Sequence, residues 1–360
     1  MNIMNQRKFK KLLKRISNLP TNKFLFLYGI NKIKHFYYKL TKSTKVAYPS
    51  TIMLELTNHC NLACTICPRV YDYGKNMDKG IMTVEQAKKI IDEVVPYLDS
   101  IGLTGMGETF LYNHLEEIIN YLKNKNKGVI ITLSTNAVVP DFIKKVSPLI
   151  NKVDTIQISI DGINEVYESI RINSNFNLLD NNLKQLVELS KNSTTDLMLN
   201  MVVTKENYIH IPDLVKYASK TGIRYLDFTL LNLASVTDID RDYYKFYSSG
   251  EFLSVLRELD DIAKQFPEVL ITNRNFKTEN SFQKCPFPWT HFYICCNGLV
   301  TPCCAKPFPK EYNFGNVLEK GVMSVLNSDK FRDFRTLWLK NEAPRFCNKC
   351  HFLDIEPIKK

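Results

Sequence analysis

The chain alternates short apolar runs with longer amphipathic segments from residue 50 onward. Short runs rich in β-branched residues predict buried strands, whereas apolar positions that recur every three or four residues predict helices. The predicted strands lie at 50–57, 100–105, 129–135, 155–161, 197–204 and 225–231. The predicted helices lie at 83–98, with Thr83 as N-cap, and at 113–125, 140–150, 176–191 and 208–220. This order favours an α/β fold with a parallel sheet, in which functional side chains gather at the carboxyl ends of the strands.

The remaining segments divide the chain into four predicted regions. Residues 1–49 form a basic, helical N-terminal extension, and residues 50–240 form the α/β domain. Residues 241–284 contain a further helix, over 241–266, followed by a polar linker. Residues 285–360 form a small cysteine-rich domain, because seven of the ten cysteines fall there.

Charge is distributed unevenly, since much of the net +11 lies in the first 45 residues. Residues 5–19 predict a basic amphipathic helix. Its apolar side chains are Phe9, Leu12, Leu13, Ile16 and Leu19. We expect this helix to pack on the domain with a solvated lysine face. A helix on a membrane surface or against an acidic partner is the alternative, which leaves open a peripheral membrane contact through the N-terminus.

Export and membrane insertion are not indicated by the N-terminal sequence. The longest early apolar run, residues 24–30, is shorter than the roughly 18 apolar residues that a membrane span needs. The N-terminus lacks the apolar core and the cleavage site of a signal peptide. We therefore expect a cytoplasmic protein.

Three of the ten cysteines follow the first predicted strand at the spacing CxxxCxxC, as Cys60, Cys64 and Cys67. Three thiolates this close can hold three irons of a cubane cluster and leave the fourth iron open for another ligand. A structural zinc site with His59 as fourth ligand is the alternative. No cysteine lies between Cys67 and Cys285, and this grouping favours cytosolic metal sites over a secreted disulfide framework.

The CxxxCxxC loop is followed one strand later by Gly105-Met106-Gly107-Glu108, and this combination resembles the radical S-adenosylmethionine superfamily. The resemblance implies a partial (β/α)6 barrel in which S-adenosylmethionine binds the open iron of a [4Fe–4S] cluster. An electron from a donor such as flavodoxin or ferredoxin then gives methionine and a 5′-deoxyadenosyl radical, which removes hydrogen from the substrate. The resemblance identifies no catalytic residues beyond the cluster ligands.

The resemblance also implies a set of contacts to S-adenosylmethionine. These are Ile66, Gly105, Gly107, Glu108, Ser134, Asn136, Ser159, Arg171 and Val202. Glu108 is expected to bind the methionine amino group. Ser159 and Arg171 are expected to hold the methionine carboxylate, since an arginine fork matches a carboxylate in two places. An exposed helix arginine is the alternative for Arg171.

Two further contacts in this set have structural alternatives. Ser134 and Asn136 follow the third predicted strand and could bond ribose hydroxyls, or they could cap the strand end. The family usually has glycine at the next position, where this chain has Ala137. Val202 is expected to form a wall for adenine, and core packing is the alternative.

The C-terminal cysteines resemble an SPASM domain in their spacing, with Cys285 and Cys303 followed by the pair Cys347 and Cys350. The chain ends without the further cysteines of the full pattern. The resemblance therefore implies the shorter twitch form, in which these four cysteines hold one auxiliary [4Fe–4S] cluster. A zinc ribbon with four cysteine ligands is the alternative.

A hairpin is predicted over residues 291–304, because Asn297-Gly298 favours a type I′ turn. The cysteines of this segment that the cluster does not use are expected to be free and buried. They are Cys295, Cys296 and Cys304. Cys304 remains an alternative to Cys303 as a cluster ligand.

The cysteine spacing is similar to that of 2-deoxy-scyllo-inosamine dehydrogenase, and the cofactor contacts are similar to those of sulfatase-maturing enzymes. We therefore expect an enzyme that oxidises or epimerises a small polar metabolite such as a sugar or cyclitol. Only 49 residues precede Ser50, fewer than a leader-binding domain needs, which favours a small molecule over a peptide. The alternatives are a peptide- or protein-modifying maturase, a zinc-stabilised nucleic-acid-binding protein and an iron–sulfur electron carrier.

Overall fold

The computed structural model describes Leu13 and residues 23–236, 238–272 and 285–350. The predicted helix over 5–19, apart from Leu13, and the predicted linker that ends at residue 284 lie outside the described residues. The chain divides into two compact units. The first unit comprises residues 1–59, 77–133 and 284–346, and the second comprises residues 60–76, 134–283 and 347–360. None of the described helices combines the length and the apolar character that crossing a membrane requires.

Strands and helices alternate through the described residues. The strands are β1 (Thr51–Leu54), β2 (Ser100–Leu103), β3 (Ile130–Thr135), β4 (Thr155–Ser159), β5 (Asp196–Val203), β6 (Tyr225–Leu230), β7 (Leu270–Thr272), β8 (Phe292–Ile294) and β9 (Val300–Thr301). The helices are α1 (Lys23–Leu40), α2 (Asp72–Lys75), α3 (Val84–Val94), α4 (Leu115–Lys125), α5 (Phe142–Val146), α6 (Glu165–Ile170), α7 (Phe176–Ser190), α8 (Ile211–Thr221), α9 (Gly250–Gln265), α10 (Phe287–Thr290), α11 (Val317–Lys320), α12 (Val322–Leu326) and α13 (Asp329–Leu339). The predicted alternation of strands and helices is confirmed.

The first unit is built on strands in the order β3-β2-β1-β8-β9. Neighbouring strands are parallel except for β8 and β9, which form an antiparallel hairpin. Helix α3 begins as predicted, because the Thr83 hydroxyl accepts from the Gln86 amide and the Gln86 side chain accepts from the Thr83 amide. Reciprocal caps of this kind satisfy two amide groups that a helix start leaves without partners.

The second unit is built on four parallel strands in the order β4-β5-β6-β7. Alternate side chains on one face are fully buried and apolar, as a sheet covered by helices requires. They include Ile156, Ile158, Leu199, Met201, Leu226 and Phe228. The opposite face carries half-buried side chains such as Ser159 and Asn200, which pair in register across β4 and β5.

The predicted hairpin over 291–304 is confirmed as β8 and β9, but the predicted type I′ turn is wrong. A type I′ turn requires positive φ at two residues, whereas only Gly298, at +82°, is positive here. The Gly298 amide donates to the Cys295 carbonyl, and the Cys295 amide donates to the Leu299 carbonyl. The glycine therefore forms a bulge after the turn, which is the usual solution for a slightly longer hairpin loop.

Candidate functional site

The loop of the three N-terminal cysteines is held against one segment of the second unit. The Ala63 amide donates to the Ile172 carbonyl at 3.1 Å, and the Thr65 amide donates to the Ile170 carbonyl at 2.8 Å. These two bonds bracket Arg171, which ends helix α6. The backbone thus places the arginine beside the middle of the cysteine loop.

The three thiols lie close enough to influence one another. Cys64 is buried, whereas Cys60 and Cys67 are half-buried, as is the predicted cofactor contact Ile66. Burial raises the pKa of Cys64 to about 11, and charges on Cys67 and Cys60 add to the rise while Arg171 opposes it. A cationic cluster would offset this cost, because metal ligation requires the thiolate form.

The donor set at this loop is three thiols, and their number and chemistry fit three irons of a cubane cluster. Polar side chains also point at the sulfurs, since Nδ2 of Asn136 lies 4.0 Å from Sγ of Cys60 and Nη1 of Arg171 lies 3.9 Å from Sγ of Cys64.

Arg171 is buried, at 8% exposure, and its guanidinium is only partly satisfied. Nη2 forms an ion pair with Oδ2 of Asp161 at 2.7 Å. Burial works to lower the pKa of Arg171, but the charges of Asp161 and Cys64 raise it above its ordinary value. Within the described part of the chain, Nε of Arg171 has no hydrogen-bond partner. A buried donor of this kind fits the carboxylate of a bound amino acid, so the geometry suits the methionine end of S-adenosylmethionine.

The alternative of an exposed helix position for Arg171 is wrong, because the side chain is buried and ion-paired. Asp161, its partner, is fully buried and follows β4 by two residues. Its other oxygen, Oδ1, accepts from the amide of Val202 at 2.8 Å. The side chain of Asn207 donates to the carbonyls of Asp161 and Val202 at 3.0 and 2.9 Å. The ends of β4 and β5 are therefore cross-linked behind Arg171.

The loop after β3 places Asn136 in the site and explains the usual glycine at the next position. Oδ1 of Asn136 accepts from the Val138 amide at 2.9 Å, and Nδ2 donates to Oδ1 of Asn61 at 2.9 Å. Ala137 has φ of +56°, a left-handed conformation that costs about 1–2 kcal/mol for residues other than glycine. The backbone here has the geometry that glycine suits, and alanine occupies it with the smallest Cβ-bearing side chain. Ser134, within β3, is half-buried.

The glycine motif after β2 lies in the first unit. A Cβ on Gly107 would stand 2.4 Å from the Thr57 carbonyl oxygen and 2.6 Å from that of His59. No side chain fits there, so Gly107 permits the close approach of two backbone segments. The Glu108 amide donates to the His59 carbonyl at 2.8 Å, and Oε1 of Glu108 accepts from the Phe110 amide at 3.1 Å. Glu108 thus caps a 3₁₀ turn and is buried directly after the glycine.

Glu55 is a buried carboxylate that the sequence motifs do not mark. It follows β1 directly and is 2% exposed. Oε2 accepts from the Met106 amide at 2.7 Å and from the Tyr293 hydroxyl at 2.5 Å, while Oε1 accepts from the Cys296 amide at 3.2 Å. A Cβ on Gly105 would stand 2.4 Å from Cγ of Glu55. The one available signal was a glutamate inside an apolar strand pattern, because glutamate is almost never buried without partners.

This carboxylate joins the glycine motif to the hairpin that precedes Cys303. Burial raises the pKa of Tyr293 well above its ordinary value, and the charge of Glu55 adds to the rise. Tyr293 therefore stays protonated and continues to donate. Two loops that carry predicted cofactor and cluster residues share one acceptor, so Glu55 is a positioning residue for both.

Glu55→Gln is expected to destabilise the protein by about 2 kcal/mol, because one accepting oxygen becomes a donor that faces existing donors. Urea unfolding of the cluster-free protein measures the change. Tyr293→Phe is the matched control, since it removes one donor but keeps the carboxylate, and about 1 kcal/mol is expected. A Glu55→Gln midpoint equal to that of the wild type would contradict the assignment.

The four cysteines predicted to hold the auxiliary cluster are divided between the two units. Cys285 and Cys303 belong to the first unit, and Cys347 and Cys350 belong to the second. All four are half-buried, and none of them forms a disulfide bond in the described part of the chain. The Cys350 amide donates to the Cys347 carbonyl at 3.2 Å, and Nδ2 of Asn232 lies 3.8 Å from Sγ of Cys350. The second pair thus forms a tight turn with an amide donor beside one sulfur.

The remaining cysteines differ in exposure. Cys295 and Cys296 are buried free thiols, as predicted. The prediction of a buried thiol is wrong for Cys304, which is half-buried. Its neighbour Cys303 is half-buried too, so exposure does not distinguish the two as cluster ligands.

Family profiles match two parts of the chain. Residues 54–218 match the radical SAM superfamily, and residues 285–351 match SPASM, an iron–sulfur cluster-binding domain. The first domain implies S-adenosylmethionine and a [4Fe–4S] cluster, and the second implies auxiliary iron–sulfur clusters.

Curated relatives align with most of the chain. It is 24% identical to the tungsten-containing aldehyde ferredoxin oxidoreductase cofactor-modifying protein of Pyrococcus furiosus, over 84% of this chain and 87% of that protein. It is 24% identical to the antilisterial bacteriocin subtilosin biosynthesis protein AlbA of Bacillus subtilis, over 92% of this chain and 70% of that protein. It is 23% identical to the cysteine-type anaerobic sulfatase-maturating enzyme of Clostridium novyi, over 85% of this chain and 86% of that protein.

A solved structure with the same fold is Streptococcus suis SuiB bound to the precursor peptide SuiA. It has a TM-score of 0.65 and 17% identity and covers 90% of this chain and 74% of that chain. The predicted fold class, an α/β partial barrel with a C-terminal SPASM domain, is confirmed. The predicted preference for a small-molecule substrate over a peptide is wrong, because the similar proteins include the bacteriocin biosynthesis protein AlbA, the mycofactocin maturase MftC and a sulfatase-maturating enzyme.

Proposed function

Because this chain carries a radical S-adenosylmethionine core and an SPASM domain, we propose that it is a maturase that modifies a peptide or protein substrate. The observation that carries the proposal is the alignment with AlbA, a bacteriocin biosynthesis protein, over 92% of this chain. The cofactor-modifying protein of Pyrococcus furiosus is a further relative and aligns with 84% of this chain. The alignments with AlbA and with the sulfatase-maturating enzyme support a peptide or protein substrate.

The residues near the cysteine loop have separate proposed roles in binding the cluster and S-adenosylmethionine. Cys60, Cys64 and Cys67 would hold the cluster, and Arg171 would direct its Nε donor at the methionine carboxylate. Asp161 keeps Arg171 charged and in place through the 2.7 Å ion pair. When bound, the [4Fe–4S] cluster and S-adenosylmethionine would supply a carbon radical that removes hydrogen from the substrate, and an auxiliary cluster would accept the electron that remains on the substrate.

The C-terminal cysteines support a net oxidation rather than an epimerisation. Cys285, Cys303, Cys347 and Cys350 are the four we propose as ligands of one auxiliary cluster. Four thiolates ligate every iron of a cubane, which suits electron transfer rather than substrate binding. The enzyme would then be an oxidoreductase that draws its first electron from a flavodoxin or ferredoxin.

Substrate-dependent cleavage of S-adenosylmethionine tests the proposal. The reduced enzyme is incubated anaerobically with short peptides encoded beside its gene and, separately, with sugars and cyclitols. We expect one of the peptides to stimulate 5′-deoxyadenosine release. Mass spectrometry should show that this peptide has lost two hydrogen atoms. Stimulation by a sugar or cyclitol with none by any peptide would refute the maturase proposal.

A further inference from the structure

Helix α1 presents an apolar face to solvent. Five large side chains on this face are more than half exposed. They are Phe26 (69%), Ile33 (69%), Phe36 (69%), Tyr37 (58%) and Leu40 (70%). Their spacings of seven, three, one and three residues place them on one side of an α-helix, over a length of about 21 Å. This is the reverse of an ordinary surface helix, whose apolar face is turned inward.

The opposite face of α1 is fixed to the first unit by polar contacts. The Asn31 side chain donates to the Tyr48 carbonyl at 2.9 Å and accepts from the Tyr48 amide at 3.0 Å. Nζ of Lys32 and the hydroxyl of Tyr28 each lie 2.7 Å from the Asp99 carboxylate. The exposed apolar face therefore belongs to a helix whose orientation is fixed by specific hydrogen bonds.

Positive charge is segregated in the same part of the chain. Residues 1–45 contain 12 of the 48 Lys and Arg residues and none of the 37 Asp and Glu residues, so the rest of the chain carries a net charge of −1. On α1, Lys34 follows Ile33 and Lys39 precedes Leu40, and both lysines are exposed. At about 100° per residue, they lie at opposite edges of the apolar face.

We propose that α1 docks the enzyme on the surface of an anionic lipid bilayer. A helix of this type lies in the interface, with its apolar side chains at the boundary of headgroups and acyl chains. Lys34 and Lys39 then reach lipid phosphates from both edges, while their stems cover apolar surface. An amphipathic peptide partner would need a groove, whereas a single helix face is convex.

The sequence before α1 supports the same occupant. Residues 5–19 repeat the combination of apolar positions and basic residues, without any acidic residue. Two consecutive segments of this character give the summed attraction to anionic lipid that stable peripheral binding requires. The proposal does not depend on which substrate the enzyme modifies.

Sedimentation of the full-length protein with vesicles tests the proposal. We expect binding to phosphatidylcholine vesicles that contain phosphatidylglycerol, and little binding to phosphatidylcholine alone. The variant Ile33→Ser, Phe36→Ser, Leu40→Ser should bind at least about tenfold more weakly, because it removes three exposed apolar side chains. Lys34→Glu with Lys39→Glu should also weaken binding and reduce its salt dependence.

Leu178→Ser with Leu189→Ser is the matched control. Both leucines are exposed on α7, at 44% and 42%, and outside the N-terminal region. This variant should bind vesicles as the wild type does. Wild-type protein that stays in solution with both kinds of vesicle would overturn the proposal. The apolar face of α1 would then be covered by another occupant, such as residues 5–19, a second copy of the chain or an acidic peptide. Equal binding by the α1 serine variant would overturn it as well.

Discussion

Replacing Cys60, Cys64 and Cys67 together with alanine is expected to abolish release of 5′-deoxyadenosine from S-adenosylmethionine. The three thiols occupy one loop, beside Arg171 and Asn136, and the described residues offer no other set of three cysteines on one loop of this unit. Removing all three leaves nothing to hold the cluster that delivers the electron. The measurement is chromatographic detection of 5′-deoxyadenosine after anaerobic reduction.

Iron analysis separates loss of the first cluster from loss of the fold. The triple variant should retain about four irons in its auxiliary cluster, and the wild type should hold about eight. Cys295→Ala is a matched control, because Cys295 is a buried free thiol outside both proposed ligand sets. It should cleave S-adenosylmethionine at the wild-type rate. Continued cleavage by the triple variant would exclude this loop as the cluster site.

The strands could be placed from the sequence because they are buried on at least one face. The predicted strand over 197–204 and the observed β5, Asp196–Val203, differ by one residue at each end. The predicted strand over 50–57 is longer than β1, Thr51–Leu54, although the Glu55 amide still donates to the Ile294 carbonyl of β8 at 2.9 Å. Apolar periodicity therefore finds a strand, but it does not find the residue at which the strand ends.

The C-terminal helices escaped the sequence analysis. Helices α11, α12 and α13 lie in a region that was interpreted only through its cysteines. Caps for α11 and α13 were present in the sequence, since Asn316 accepts from the Leu318 amide and Ser328 accepts from the Phe331 amide, whereas α12 has no side-chain cap. Short helices with little periodicity give a weak signal, so capping residues were the better guide.

The residues proposed to bind the cluster and the cofactor could be predicted from the sequence, but the side chains that contact and position them could not. CxxxCxxC and the glycine motif are local patterns, and Arg171 follows from resemblance. Asp161 as its ion-pair partner, and Glu55 as the shared acceptor, depend on contacts between residues far apart in sequence. Glu55 and Tyr293 are 238 positions apart. No local pattern encodes such a pairing.

Arg171→Met is expected to destabilise the protein strongly and to weaken cofactor binding. Asp161 is fully buried, and removing its ion-pair partner leaves an uncompensated charge, at a cost of about 3–5 kcal/mol. The loss of a charged donor to the methionine carboxylate should weaken S-adenosylmethionine binding by about 10- to 100-fold. Urea unfolding measures the first effect, and equilibrium dialysis of the cluster-loaded enzyme measures the second.

The double variant Asp161→Asn, Arg171→Met separates the two effects. In the wild type, the Val202 amide donates to Oδ1 of Asp161 at 2.8 Å, and the side-chain oxygen of an asparagine can still accept this bond. The double variant leaves no buried charge at this position. Stability should therefore recover by most of the lost free energy, whereas S-adenosylmethionine affinity should stay low. Arg171→Lys, which keeps the charge but lacks Nε and the planar fork, should fall between the wild type and Arg171→Met in affinity. A stable double variant that binds S-adenosylmethionine as tightly as the wild type would show that Arg171 has only a structural role.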